Sequence, residues 1–277
     1  MIPKIIHQSY INQECVEICP TLKYCQSKAI ELHKDFKYKF YSDEDMFNYM
    51  QSYFPEFWDR FSSLPKKIMK VDMFRYFLMY NEGGLYADLD YLFLKPFDMF
   101  EQECILTEEF TDTKVFKGIN VSNCIFASVP KFNFWMDLIE ASFEKIKNFK
   151  PIKDYSPSDV LELTGPLFLN IFYQNYPKKE DIFVTEKNYF NPDNFEKYEN
   201  INSFKSKISK TEISTCFLIE DEKFLEMVDK FKQIDSEKHY GIHLQTNSWI
   251  STQWYKYRRL FNGIQDEQKT DSGNGNL

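Results

Sequence analysis

The run Gly83-Gly84-Leu85-Tyr86-Ala87-Asp88-Leu89-Asp90-Tyr91-Leu92-Phe93-Leu94, closed by Pro96, decides the reading of this chain. Two adjacent glycines tolerate the left-handed backbone that ends a helix. From Leu85 to Leu94 only Asp88 and Asp90 carry charge, so the run reads as a buried strand that passes through two carboxylates. Residues two apart on an extended strand share a face, with α-carbons about 7 Å apart, and one divalent ion can meet both directly or through water. Carboxylates in a buried strand are costly without a partner. The pattern alone leaves a bound cation, an ordinary salt bridge and a partly exposed edge as readings. Asp-x-Asp spacings also arise by chance in acidic chains; Asp43-x-Asp45, after Ser42, is read as a helix cap.

Upstream, Pro65 to Asn81 reads as a helix that is apolar nearly all round, which marks it as buried. Asp72 and Arg75 interrupt it three residues apart. Such a pair is either a local ion pair, contributing about 0.2–0.5 kcal/mol, or a polar pair placed to meet a ligand. Earlier still, Ile2 to His7 reads as a strand delivering His7, Gln8 and Tyr10 to its end. Pro20 to His33 reads as a helix and Lys37 to Tyr41 as a strand. This alternation is the rhythm of an α/β fold with a largely parallel sheet. Downstream, strands are expected at 104–107, 124–129, 182–185 and 240–244, and helices at 131–147, 165–176, 222–232 and 252–262. The stretch 188–211 reads as irregular loop. No repeat or linker divides the chain, and residues 266–277 read as a loose polar tail.

His243 follows the strand expected at Tyr240–Leu244, with Ser248 and Trp249 beyond it. A lone histidine is more often structural than a ligand, yet one at a strand's mouth can complete a two-carboxylate site with a nitrogen suited to manganese. Trp249 is by default a core aromatic.

Of the 277 residues, 43% are hydrophobic and 27% charged, which excludes a disordered chain or a coiled coil. Eight glycines, two of them Gly273 and Gly275, leave no phosphate loop and no dinucleotide-binding fingerprint. A net charge of −8 argues against nucleic acid or an anionic membrane as partner, and an anionic substrate would need a cation to bridge it. No apolar run approaches the roughly 18 residues that cross a bilayer, and Met1 to His7 is too short for a leader, so a soluble, cytoplasmic chain is expected. The six cysteines form no C-x-x-C pair and read as thiols in a reducing compartment, although Cys15, Cys19 and Cys25 could pair locally.

Read in order, Ile2-Pro3-Lys4-Ile5-Ile6-His7-Gln8, Lys70-Val71-Asp72-Met73-Phe74-Arg75-Tyr76 and Gly83 to Asp90 resemble the DXD sugar-binding-region glycosyltransferases of family 32. That family includes fungal initiating mannosyltransferases, and its central block is shared with large clostridial glucosylating toxins. Ser122-Asn123, Ala127-Ser128-Val129-Pro130, Thr164-Gly165-Pro166 and His243-x-x-x-x-Ser248-Trp249 are similar to later family motifs. The resemblance implies a GT-A fold over residues 1–263 with a flexible tail at 264–277. It also implies a UDP- or GDP-sugar donor, a glycan or protein acceptor, Mn2+ or Mg2+, and hexosyl transfer with retention.

Carried over residue by residue, it gives Asp90 to the metal, Asp88 to metal or water and the donor ribose, and His243 to closing the coordination. Asp72 and Arg75 would hold sugar hydroxyls, and Asn123 falls in the donor-binding set. Ser248 and Trp249 would sit by the diphosphate and glycosidic oxygen, Trp249 as a catalytic group. Tyr10 stands where relatives carry a tryptophan that stacks on the base. Asn247 replaces a common glycine and Leu244 a frequent second histidine, which changes the loop after His243. With no nucleophile evident in the residues, a front-face, ion-pair-like transfer is favoured. A metal-dependent hydrolase of nucleotide sugars and an inactive glycan-binding module of the same fold are the competing readings.

Overall fold

The computed structural model describes residues 1–99, 101–108, 119–151, 154–186, 188–190 and 238–244. In chain order the elements are β1 (Ile5–Ser9), α1 (Gln13–Glu17), α2 (Pro20–Leu32), β2 (Lys37–Tyr41), α3 (Asp43–Tyr53), α4 (Trp58–Ser62), α5 (Lys67–Asn81), β3 (Gly84–Ala87) and β4 (Tyr91–Phe93). They continue with β5 (Cys104–Glu108), β6 (Val121–Ser128), α6 (Asn133–Asn148), α7 (Pro157–Leu163), α8 (Pro166–Asn175), β7 (Phe183–Val184) and β8 (Gly241–His243). The helices expected at 222–232 and 252–262, the tail, Ser248 and Trp249 lie outside the described residues.

Six strands form the central sheet in the order β2-β1-β3-β6-β5-β7. Pairing is parallel between β1 and β2, β1 and β3, and β5 and β7, while β6 runs against both of its neighbours. The sheet is thus largely parallel, as expected, with one reversed strand. Alternation of side chains across the pleat sorts residues to two cores. Tyr86, Leu106 and Phe126 enter the larger core with Tyr76, Phe77 and Trp135 of the helical layer. Leu85, Ala87, Ile105, Ile125 and Ala127 enter the other, with Ile6, Phe93 and Phe190.

Helix α5 is the central helix, with every residue from Asp72 to Met79 buried. It starts two residues after the expected Pro65. Gly83 (φ 64°) and Gly84 (φ 89°) end it and turn the chain into β3. A Cβ on Gly83 would stand 2.5 Å from Ser128 O, and one on Gly84 2.7 Å from Ile5 O, so neither position has room for a side chain. Ser42 and Asp45 form the expected cap as a reciprocal capping box on α3. An equivalent box, Ser156 with Asp159, starts α7, an element the sequence reading left out.

The run 85–94 is not one strand. β3 stops at Ala87, residues 88–90 turn, and the turn is closed by the Tyr91 N–H donating to Asp88 O at 2.9 Å. β4 then leaves the central sheet and pairs antiparallel with β8, Tyr91 opposite His243. Both strands are buried throughout, so their hydrophobicity merges into one run in the sequence. Leu89, at the turn's centre, points its apolar side chain into a small cluster with Val16, Cys19 and Leu22. None of the five described cysteines forms a disulfide. Among the described residues no helix is long and apolar enough to cross a membrane.

Candidate functional site

The turn at the end of β3 presents two carboxylates, and β8, held beside β4, adds an imidazole. Asp88, Asp90 and His243 each offer one ligand atom, and these atoms lie within 4.8 Å of one another. His243 Nε2 stands 3.2 Å from Asp90 Oδ1 and 3.9 Å from Asp88 Oδ2. Asp90 is buried, Asp88 and His243 half-buried. β8 approaches β4 closely because residue 241 is glycine: a Cβ there would lie 2.5 Å from Leu92 O and from the Tyr91 ring. The Leu244 N–H donates to Asp90 O at 3.0 Å, fixing the turn to the far side of His243.

Behind these three residues lies a buried polar network. The Arg75 guanidinium donates through Nη1 to Asp88 Oδ1 (3.0 Å) and to Asn123 O (2.7 Å), and its Nη2 lies 3.4 Å from Asp72 Oδ1. The Tyr86 hydroxyl also donates to Asp88 Oδ1, at 2.8 Å, and the Tyr86 ring lies 4.9 Å from the guanidinium carbon. Asp72 accepts from Asn123 Nδ2 (3.2 Å) and Thr164 Oγ1 (2.9 Å). The turn's backbone is held too: Asp88 N–H donates to Cys124 O at 2.7 Å, and Gln8 Nε2 donates to Asp88 O at 3.2 Å.

These contacts set the charges. Burial lifts the Asp88 carboxyl above its ordinary range, countered in part by Arg75 and His243 and reinforced by Asp90. Burial lifts Asp72 to about 6 against the pull of Arg75 and Thr164. Arg75 loses solvation as well, but Asp88, Tyr86 and Asp72 outweigh that and hold it more firmly protonated than usual. For His243 burial works against charge, and the neighbouring Cys124 and Asp90 prevail, raising its pKa well above the usual imidazole value. Two crowded carboxylates and an imidazole nitrogen form a donor set that a divalent ion such as manganese or magnesium fits, since the cation would neutralise the repulsion that Asp88 and Asp90 exert on each other.

Six residues singled out in the sequence, Asp72, Arg75, Asp88, Asp90, Asn123 and His243, thus converge on one place. The pair of α5 is more than a local ion pair, because the shorter ionic contact of Arg75 is to Asp88. Tyr10 sits half-buried past the end of β1, against the cluster under Leu89. The two carboxylates do not share a strand face; the turn brings them together. Sequence reasoning gave no role to Tyr86, Gln8 or Thr164. Each carried a signal short of a role: Tyr86 lies two residues before Asp88, and Gln8 and Thr164 fall in blocks that resemble the family.

Residues 20–110 match the family model described as the glycosyltransferase sugar-binding region containing the DXD motif. Over 196 residues the chain is 28% identical to mannosyl phosphorylinositol ceramide synthase SUR1 of Saccharomyces cerevisiae, covering 69% of this chain and 48% of that protein. It is 31% identical over 179 residues to mannosyl phosphorylinositol ceramide synthase CSH1 of the same yeast, covering 64% and 44%. The chain therefore spans about half the length of these curated relatives. Among solved structures it is similar to the PaToxG glycosyltransferase, with a TM-score of 0.44 and 15% identity over 64% of this chain and 70% of that one. The architecture is of the expected α/β class, a largely parallel sheet among helices, with the DXD turn at the end of β3.

Proposed function

We propose that this chain, whose residues 20–110 match the glycosyltransferase sugar-binding region containing a DXD motif, moves a hexose from a UDP- or GDP-sugar to a glycan or protein acceptor, with retention, using a divalent ion. The observation that carries this reading is the convergence of Asp88, Asp90 and His243, supplied by a turn and a strand about 150 residues apart, within 4.8 Å. A bound Mn2+ or Mg2+ would offset the negative charge that develops on the diphosphate as the sugar departs.

The chain's own residues have separable tasks. Arg75 and Tyr86 occupy Oδ1 of Asp88, which leaves Oδ2 turned toward His243 for the ion. Asp72 and Arg75 form the wall of the proposed sugar pocket, where hydroxyl groups would exchange for the contacts these residues make with each other. Asn123 holds both through its carbonyl and its amide. Tyr10 is assigned to the base, and Ser248 and Trp249 to the leaving group. With positioning and electrostatics as the main sources of rate, a front-face transfer through an ion pair suits the site.

The test is a panel of UDP- and GDP-sugars in thermal shift with and without manganese. The yeast relatives are named for a mannosyl product, so GDP-mannose heads the panel. The cognate donor at a hundredfold excess over its Kd stabilises the chain by about 2.7 kcal/mol. Turnover that requires an acceptor supports transfer. Turnover in water alone, at the same rate with every acceptor, makes the chain a hydrolase, and metal-dependent binding without turnover makes it a binding module.

A further inference from the structure

Gln8, toward the C-terminal end of β1, is fully buried. Its side chain bridges β2 and the turn. The Tyr38 hydroxyl donates to Gln8 Oε1 at 3.0 Å, which fixes the amide so that Nε2 donates to Asp88 O at 3.2 Å. Behind Tyr38 the same polarity continues: Gln26 Nε2 donates to the Tyr38 hydroxyl at 3.0 Å, and Gln13 Nε2 to Gln26 Oε1 at 3.0 Å. Gln26 Nε2 also donates back to Gln13 Oε1 at 3.2 Å, so the directional chain of hydrogen bonds runs from Gln26 of α2 through Tyr38 of β2 and Gln8 to the turn between the two carboxylates. Position 8 must accept from a hydroxyl at one end and donate to a carbonyl at the other. An amide does both, whereas a carboxylate cannot donate and an apolar group can do neither.

The Asp88 carbonyl takes a second donor from Tyr91 N–H, and the Asp88 N–H is bound to Cys124 O. With Gln8 in place, both backbone polar atoms of Asp88 are tied to elements outside the turn. The geometry points to Gln8 as a positioning residue of the metal centre: by holding the Asp88 carbonyl it keeps Asp88 and Asp90 facing His243 and raises the affinity for a divalent ion. The inference rests on the reading of Asp88, Asp90 and His243 as a metal site. Metal ligands are commonly oriented by hydrogen bonds from groups that do not touch the ion, and losing one such partner lowers affinity about 10- to 100-fold. Here the bond reaches the ligand through its backbone, so the low end of that range applies.

A merely structural glutamine would also lose stability on substitution, so the test separates the two. Manganese binding to the full chain is followed without nucleotide by the electron paramagnetic resonance of the free ion, alongside urea unfolding. Gln8→Met weakens manganese binding about tenfold and also destabilises the chain, because the Tyr38 hydroxyl loses its acceptor. Adding Tyr38→Phe removes that orphaned hydroxyl and recovers stability. Manganese affinity stays low in the double variant, since the donor to Asp88 O is still missing. Affinity that returns together with stability, or that never falls in Gln8→Met, overturns the inference while Asp90→Asn continues to report on the metal reading itself. Absence of manganese binding by the unaltered chain overturns both. Should Gln8→Met fail to fold, Tyr38→Phe alone serves: with its hydroxyl partner gone the amide can turn over, and affinity falls by less than the about tenfold expected of Gln8→Met. Wild-type affinity in that variant counts against Gln8.

Discussion

Asp88 uses its two oxygens differently. Oδ1 receives Arg75 and Tyr86, and Oδ2 faces His243, so the carboxylate is pinned in rotation before any ligand arrives. Asp90 is buried with its Oδ1 3.2 Å from His243 Nε2, and is the residue whose charge a cation would neutralise most directly. Asp90→Asn keeps the shape and removes the charge. The expected outcome is loss of manganese affinity and of donor turnover by at least about a hundredfold, with the far-UV circular dichroism of the native chain retained. Near wild-type turnover with manganese would remove Asp90 from the metal site. At this scale the charged residues were legible in the sequence, since an isolated Asp or Arg in an apolar run stands out. The residues that orient them were not. Gln8 and Asp88 are 80 positions apart, as polar groups whose partnership is created by parallel pairing of β1 with β3.

Among the elements, β8 has the largest effect for its length. Three residues, Gly241–His243, pair with β4 and bring the imidazole to the carboxylates. Their approach depends on the missing side chain at 241, where even a methyl group would meet Leu92 O and the Tyr91 ring at 2.5 Å. Gly241→Ala is therefore expected to push β8 off β4, withdraw His243 and reduce manganese affinity about tenfold or more, while far-UV circular dichroism stays that of the native chain. Isothermal titration with MnCl2 measures it; unchanged affinity would mean that β8 pairing does not place His243. Most elements were readable from periodicity and caps, among them α2, α3, α5, α6, α8 and the strands of the central sheet. The misreading of 85–94 as one strand has a plain cause. Hydrophobicity reports burial, and both β3 and β4 are buried, but it does not report which sheet a strand joins. The helix α7 was missed although Ser156 and Asp159 spelled its capping box.

At the scale of the whole molecule, stability should depend on pH through His7. Its imidazole is fully buried on β1, with Nε2 donating to Gly83 O at 2.9 Å and Nδ1 accepting from the Tyr41 hydroxyl at 3.1 Å, so the neutral tautomer satisfies both contacts. Burial lowers its pKa to about 4, despite the raising influence of Glu82 and the Gly83 carbonyl. The unfolded chain binds a proton at position 7 below the ordinary imidazole value of 6.5, and the folded chain does not until about 4. Stability from this residue is therefore present in full above pH 6.5 and falls as pH drops toward 4, by about 3 kcal/mol at about 1.4 kcal/mol per unit. Urea unfolding between pH 4.5 and 7, compared with His7→Gln, isolates the effect. A slope equal in the two chains would assign it elsewhere.

The pairing of β4 with β8 also has a consequence in time. Translation supplies both aspartates long before it supplies residue 243, and a nascent chain emerged only as far as Phe190 has the two carboxylates without the imidazole of His243. At about 5–20 residues per second, the remaining stretch takes roughly 3–10 s to synthesise. During that interval the carboxylates stand without their imidazole partner, and any preference for a transition metal that His243 would confer on the proposed centre is acquired only once β8 has been made.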